Sequence, residues 1–203
     1  MSSTNRGRAR KRADFYPTPP WCVHRLLEAV ELRGGRWLEP TAGRGDLMAA
    51  VRASRDDISW TGVELFAARA KRLATVADVV LVGDIRKVDL EAHYDVALSN
   101  PPFSIWQDVV TRVLPLADTV AMLLRLDVLG SAGRAAWWHE HPADVLVIPD
   151  RPSFTSDGGT DSNVYGWFVW RRGARRGQVR VLPVTSLAER AGPRGRRADS
   201  KTS

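Results

Sequence analysis

Cysteine is almost missing from this chain of 203 residues; Cys22 stands alone. A single thiol excludes an internal disulfide and any cysteine cage for zinc. No run approaches the roughly 18 apolar residues that a membrane helix needs. The basic N-terminal stretch has no apolar segment behind it, so a secretory signal is not expected. These absences point to a soluble protein of a reducing cytoplasm, with no membrane and no metal partner. Histidine is also sparse, at four residues, and two of these, His139 and His141, flank Glu140. Residues two apart do not share a helix face, so that run does not read as a metal site.

Acid is missing from residues 1–13, which hold five basic side chains. Residues 171–203 hold ten basic residues against Glu189 and Asp199. Residues 14–170 hold 15 basic and 21 acidic residues, so the ends carry +5 and +8 and the middle −6. The high isoelectric point therefore belongs to the ends. Two readings of such ends stay open, a nucleic-acid contact and a solubilising tail. Residues 1–13 and 184–203 have little to bury and are expected to be disordered tails around one domain at 14–183. Arg171, Arg172, Arg175 and Arg176, close behind the last apolar run, are candidate nucleic-acid contacts.

Within the domain, helical and extended patterns alternate. Helices are expected over Trp21–Val30, Gly45–Ala53, Phe66–Val76, Ile105–Leu114 and Gly133–His141. Strands are expected over Arg36–Glu39, Trp60–Leu65, Val79–Val82, Tyr94–Ser99, Thr119–Leu126, Val145–Ile148 and Tyr165–Trp170. Near-continuous apolar strands between helices predict an α/β protein with a mostly parallel sheet covered on both faces. Such folds bind ligands beyond the carboxyl ends of their strands.

The residues that close each strand are therefore informative. Glu39 closes the first strand and leads into Gly43-Arg44-Gly45-Asp46. The two glycines permit a tight turn and a close backbone approach, or mark a plain strand–helix turn. A dinucleotide cradle would want a third glycine where Met48 stands. Glu64 closes the second strand, and a carboxylate there can accept from both hydroxyls of a ribose. Asp84 closes the third and could accept from an exocyclic amine of adenine. Ser99-Asn100-Pro101-Pro102-Phe103 closes the fourth. The prolines fix φ and remove two donors, so neither ladder nor ordinary helix continues through them. Acceptors at the Asn100 side chain and the Pro101 carbonyl suit a delocalised amine whose lone pair must be localised on nitrogen. Phe103 offers a face for a planar base, and Phe154, in a Pro-Ser-Phe loop, either covers such a base or packs as loop. Cys22 lies on the first helix, so a thiolate route to cytosine C5 is disfavoured.

The segments 39–46 (EPTAGRGD), 62–65 (GVEL), 83–85 (GDI) and 99–103 (SNPPF) resemble the motifs of S-adenosylmethionine-dependent amino methyltransferases of nucleic acids. Residues 14–21 (DFYPTPPW) resemble the segment that precedes the first strand in DNA N6-adenine methyltransferases. The combination is similar to the phage-type DNA N6-adenine methyltransferases over about residues 14–172. That resemblance implies a class I, Rossmann-like methyltransferase fold and S-adenosylmethionine as cofactor. It implies that Tyr16, Pro17, Thr18 and Pro19 line the methionine end, with Glu39, Gly43 and Gly45 beneath it. It further implies that Glu64 takes the ribose, Asp84 the adenine ring, and Asn100, Pro101, Pro102 and Phe103 the reaction. The expected activity is methyl transfer to adenine N6 in DNA with the base flipped out. Its rivals are the same chemistry on RNA adenine, cytosine N4 or protein glutamine, and a non-catalytic nucleic-acid-binding protein of the same fold.

Overall fold

The computed structural model describes residues 17–90, 93–154 and 163–191. The first element, α1 (Pro20–Ala29), starts from Pro19 with a proline in its first turn, where the missing N–H costs nothing. Then come β1 (Gly35–Glu39), α2 (Asp46–Arg52), β2 (Ile58–Glu64), α3 (Ala67–Leu73), β3 (Val79–Val82) and β4 (Tyr94–Ser99). The second half holds α4 (Trp106–Val113), β5 (Ala117–Arg125), α5 (Ala135–Glu140), β6 (Asp144–Ile148), β7 (Tyr165–Arg171), β8 (Val179–Val181) and α6 (Leu187–Ala191).

The eight strands form one sheet in the order β3-β2-β1-β4-β5-β7-β6-β8. The first five run parallel, β7 runs antiparallel to both its neighbours, and β8 pairs parallel with β6. The central strands are apolar on both faces, as a doubly covered sheet requires. One face packs Trp21, Leu26, Trp37, Met48, Trp60 and Leu73 under α1, α2 and α3. The other packs Leu38, Trp106, Val109, Met122 and Phe168 under α4, with Trp137 and Trp138 of α5 against them. Trp37 and Trp60 meet edge to face at 5.2 Å, filling the volume between adjacent strands. Among the described residues no helix is long and apolar enough to cross a membrane.

The described chain continues past residue 183, the expected end of the domain. Beyond it, the backbone N–H of Thr185 donates to Asp150 at 2.5 Å and Arg190 pairs with Asp150 at 3.1 Å. Arg25 of α1 reaches Glu189 at 3.0 Å and the Thr185 hydroxyl at 3.2 Å. Asp150 is buried, so these partners offset a desolvated charge. Neither β8 nor α6 carries enough apolar pattern to be expected from the sequence. Residues 1–13 and 192–203, the remainder of the expected tails, lie outside the described residues.

Candidate active site

The sheet order reverses between β1 and β4, and a cleft of about 680 Å³ opens at their carboxyl ends. Its size suits a nucleoside-sized ligand, since small-molecule pockets run to about 300–1,000 Å³. Four strand ends and the segment before α1 feed it: Pro17 and Thr18, Glu39 and Gly43, Glu64, Asp84, and Asn100, Pro102 and Phe103 all line its wall. Pro19 instead caps α1, its carbonyl accepting from the Cys22 N–H at 3.0 Å. Pro101 is buried behind the wall. Tyr16 lies outside the described residues.

The turn after β1 depends on glycine. Gly43 and Gly45 both have positive φ, 58° and 79°. A Cβ on Gly45 would stand 2.3 Å from Val76 Cγ2, so any other residue would have to displace Val76 in the turn after α3. Met48, in the place of a third glycine, is buried, and Gly62 on β2 leaves room for it; a Cβ there would meet Met48 Cε at 2.8 Å.

The three acids are in different states. Glu39 is buried, and its Oε2 has no hydrogen-bond partner. Burial raises its pKa well above the ordinary carboxylate range, with the Asp46 and Glu64 charges adding to the effect. Glu64 is buried as well, and its Oε1 accepts from the Phe66 N–H at 2.8 Å with Arg69 at 3.6 Å. A carboxylate has about four acceptor positions, so capacity remains for a ligand. Asp84 is already engaged. Arg86 donates to it from Nε at 2.9 and 3.1 Å and from Nη2 at 2.5 Å, and holds its pKa down to about 2. An adenine amine would have to share that carboxylate.

Asn100 stands at the end of β4 and donates from Nδ2 to Thr18 Oγ1 at 3.1 Å. Beside it the hydroxyls of Thr41 and Ser99 share a hydrogen bond of 2.7 Å, tying the ends of β1 and β4. The Pro102 carbonyl accepts from the Ile105 N–H at 3.0 Å. Among the described residues nothing donates to the Pro101 carbonyl. The Phe103 ring lies 6.0 Å from Tyr165, and the Arg125 guanidinium sits 5.7 Å over it.

Solved structures resemble this arrangement of elements. A protein of Agrobacterium tumefaciens described as a predicted O-methyltransferase superposes with a TM-score of 0.61 at 17% identity, over 82% of this chain and 86% of that one. The 23S rRNA methyltransferase ErmE gives 0.57 at 20% identity, over 76% and 68%. A TehB-like SAM-dependent methyltransferase from Corynebacterium glutamicum gives 0.51 at 13%, over 79% and 89%. The fold is that of the class I, Rossmann-like S-adenosylmethionine-dependent methyltransferases. No family model matches the sequence, and no curated protein matches it at significance.

On this fold, several expected site residues stand elsewhere. Phe154 is buried and packs edge-on to Tyr165 at 4.9 Å, the ring that Phe103 also meets, and it does not line the cleft. Arg171 pairs with Asp144, and Arg172 with Asp118 at 2.9 Å. Both lie at the opposite end of the sheet, because β7 runs antiparallel: Arg171 faces Thr119 in register, whereas Tyr165 faces Arg125. Six strand residues separate those pairs, roughly 20 Å. Arg175 and Arg176 lie in the same distant turn, exposed. Among the described residues, the cations at the cleft end of these strands are Arg125, which pairs with Asp127, and the exposed Arg151. Cys22 is fully buried, and burial raises its thiol pKa, which removes it as a nucleophile. His141 stacks on Trp137 at 4.7 Å.

Leu65 and Phe66 belong to none of the expected site residues, yet they line the cleft and are 56% and 42% exposed. Two exposed apolar side chains directly after a strand-closing acid are a usable signal. They offer flat apolar contact beside the carboxylate of Glu64.

Proposed function

We propose that this protein transfers the methyl group of S-adenosylmethionine to the exocyclic N6 of adenine in DNA, the base being flipped into the cleft. The observation that carries this reading is the state of Asn100. Its Nδ2 is turned to Thr18, which leaves Oδ1 as an acceptor on the wall shared with Glu39 and Glu64.

The cofactor's chemistry fits the groups present. An unpartnered buried oxygen on Glu39 matches the ammonium of a methionine moiety, and Glu64 the hydroxyls of a ribose. Leu65 and Phe66 match the faces of an adenine ring. Gly43 lets the backbone approach, and Pro17 closes the methionine end, while the Thr18 hydroxyl is engaged by Asn100. When bound, S-adenosylmethionine supplies an electrophilic methyl group on a sulfonium.

The chain's own groups then have two tasks. Asn100 Oδ1 accepts a hydrogen bond from the amine, which draws nitrogen toward sp³ and localises its lone pair. That interaction strengthens toward the transition state, so it acts on turnover. Phe103, held by Tyr165 and Arg125, stacks on the base and offsets part of the cost of flipping it. Arg125 and Arg151 meet backbone phosphates.

A second reading, the same chemistry on RNA, is favoured by the likeness to the 23S rRNA methyltransferase. Transfer of a labelled methyl group to matched DNA and RNA duplexes and single strands, followed by nucleoside analysis, tests both. N6-methyladenine in DNA is expected. Label confined to RNA, or appearing as N4-methylcytosine, would replace the reading.

A further inference from the structure

We infer that Thr18 is the positioning residue for Asn100: its hydroxyl fixes which end of the Asn100 amide faces the substrate amine. This deepens the proposed function and rests on it.

An asparagine side chain has one accepting and one donating end of nearly equal size. Only the accepting end can take a proton from an amine that must become nucleophilic. A flipped amide would set its NH2 against the amine's own N–H groups and leave donors facing donors. Nothing about the Asn100 backbone selects between the two. Thr41 and Ser99, the nearest hydroxyls on the strand ends, bond each other. Thr18 Oγ1 alone among the described residues receives Nδ2, at 3.1 Å.

Thr18 is well placed to hold that contact. It is 6% exposed, so water competes poorly for its hydroxyl. Pro17, Pro19 and Pro20 surround it and fix φ at three of four positions. Behind them α1 is anchored in the core by Trp21, Cys22, Val23 and Leu26. The Trp167 indole N–H donates to the Cys22 carbonyl at 2.9 Å, tying α1 to β7. The hydroxyl is thus delivered across 82 residues of sequence by a rigid segment. Its other side chain arm, a methyl, leaves shape unchanged when threonine is replaced by valine.

The test is a double-mutant cycle on single-turnover methyl transfer, with cofactor affinity measured by calorimetry. Thr18→Val should lower the rate about five-fold, the ordinary effect of one net hydrogen bond, while the cofactor Kd changes less than two-fold. Thr18→Ser should restore the rate to within two-fold of the parent. In an Asn100→Ala background, Thr18→Val should cost nothing further, because no amide is left to orient. A Thr18→Val loss under three-fold, an equal loss in both backgrounds, failure of serine to rescue, or a loss that appears in cofactor Kd would overturn the inference. If the parent enzyme transfers no methyl to DNA, the proposed function fails, and the contact is judged by NMR. The Asn100 side-chain NH2 signals, identified by their loss in Asn100→Asp, should move in Thr18→Val and stay in Thr18→Ser. Unmoved signals in Thr18→Val would overturn it.

Discussion

The two ends of the sheet both carry charged groups and use them differently. At the amino ends of the parallel strands, carboxylates are matched by arginines or backbone donors. Arg55 holds Asp57 at 2.6 Å, Arg52 holds Asp78 at 2.7 Å, Arg172 holds Asp118 at 2.9 Å, and Arg36 N–H holds Asp95 at 2.8 Å. At the carboxyl ends, Glu39 keeps a buried oxygen without a partner and Glu64 spends one acceptor position on its own turn. A protein gains little from an unmatched buried carboxylate, since desolvation without a partner is costly. Completed pairs at one end and open acceptors at the other therefore separate structure from function, although acids alone do not. Asp84 shows the distinction within the site end itself, where Arg86 has already closed it.

The sharpest way to break this comparison is to remove the acceptor on β4. Asn100→Ala should lower kcat by about 10²- to 10³-fold, the range seen when one preorganised transition-state contact is lost. S-adenosylmethionine affinity should stay near the parent value by calorimetry. Asp118→Asn, at the matched end, should leave kcat unchanged and cost under about 1 kcal/mol in denaturant unfolding, as exposed pairs do.

Glu64→Ala should come next. Loss of a charge-assisted hydrogen bond costs about 1.5–3 kcal/mol, or roughly ten- to hundred-fold in cofactor affinity. Calorimetry of the folded variant checks it. Asp84→Asn should affect affinity far less, because Arg86 already occupies that carboxylate.

Glu39 sharpens the comparison through pH. Its folded pKa is raised above the unfolded value, chiefly by burial. The folded state therefore holds a proton that the unfolded state releases, and stability falls as pH rises from the ordinary carboxylate range toward the raised value. An ammonium beside Oε2 favours the ionised form. Cofactor binding in that window should release up to one proton and tighten as pH rises. Calorimetry in buffers of different ionisation enthalpy measures the proton, and Glu39→Gln should abolish its release.

The smallest effect concerns DNA. Each phosphate contact contributes a slope of about −0.9 in log K against log salt. Arg125→Ala should flatten the slope by about one such contact, and Arg171→Ala should not. Truncation after Ala191 should flatten it while leaving the fold intact. Truncation after Pro183 removes Arg190 and Thr185 from Asp150, so it should also destabilise the protein in thermal unfolding. Equal slopes for Arg125→Ala and the parent would move the DNA surface elsewhere.

Much of this site is local in sequence. In a parallel α/β sheet every strand ends at the same edge, so the residue after each apolar run is a wall residue. Glu39, Glu64, Asp84, Asn100 and Phe103 come from that rule, and the Pro101-Pro102 pair marks where the chain can neither pair nor coil. The strand spans Val79–Val82 and Tyr94–Ser99 are legible for the same reason, being apolar runs stopped by Gly-Asp and Asn-Pro-Pro. Strand direction is not local, however. The apolar run of β7 reads alike in either sense, and only its antiparallel pairing with β5 carries Arg171 and Arg172 away from the cleft, whereas Arg125 stands at the carboxyl end of the parallel strand β5. Burial of Phe154 likewise depends on Tyr165 arriving from the next strand. The short α6 has no apolar stripe to announce it, because side chains distant in sequence hold it: Arg25 with Glu189, and Asp150 with Arg190. The contact of Thr18 with Asn100 spans 82 residues, and no periodicity encodes it. Residue types and strand ends determined which chemistry the chain could carry. The tertiary structure decided which of those groups remain open to a ligand, because a hydrogen bond is satisfied in space and not along the chain.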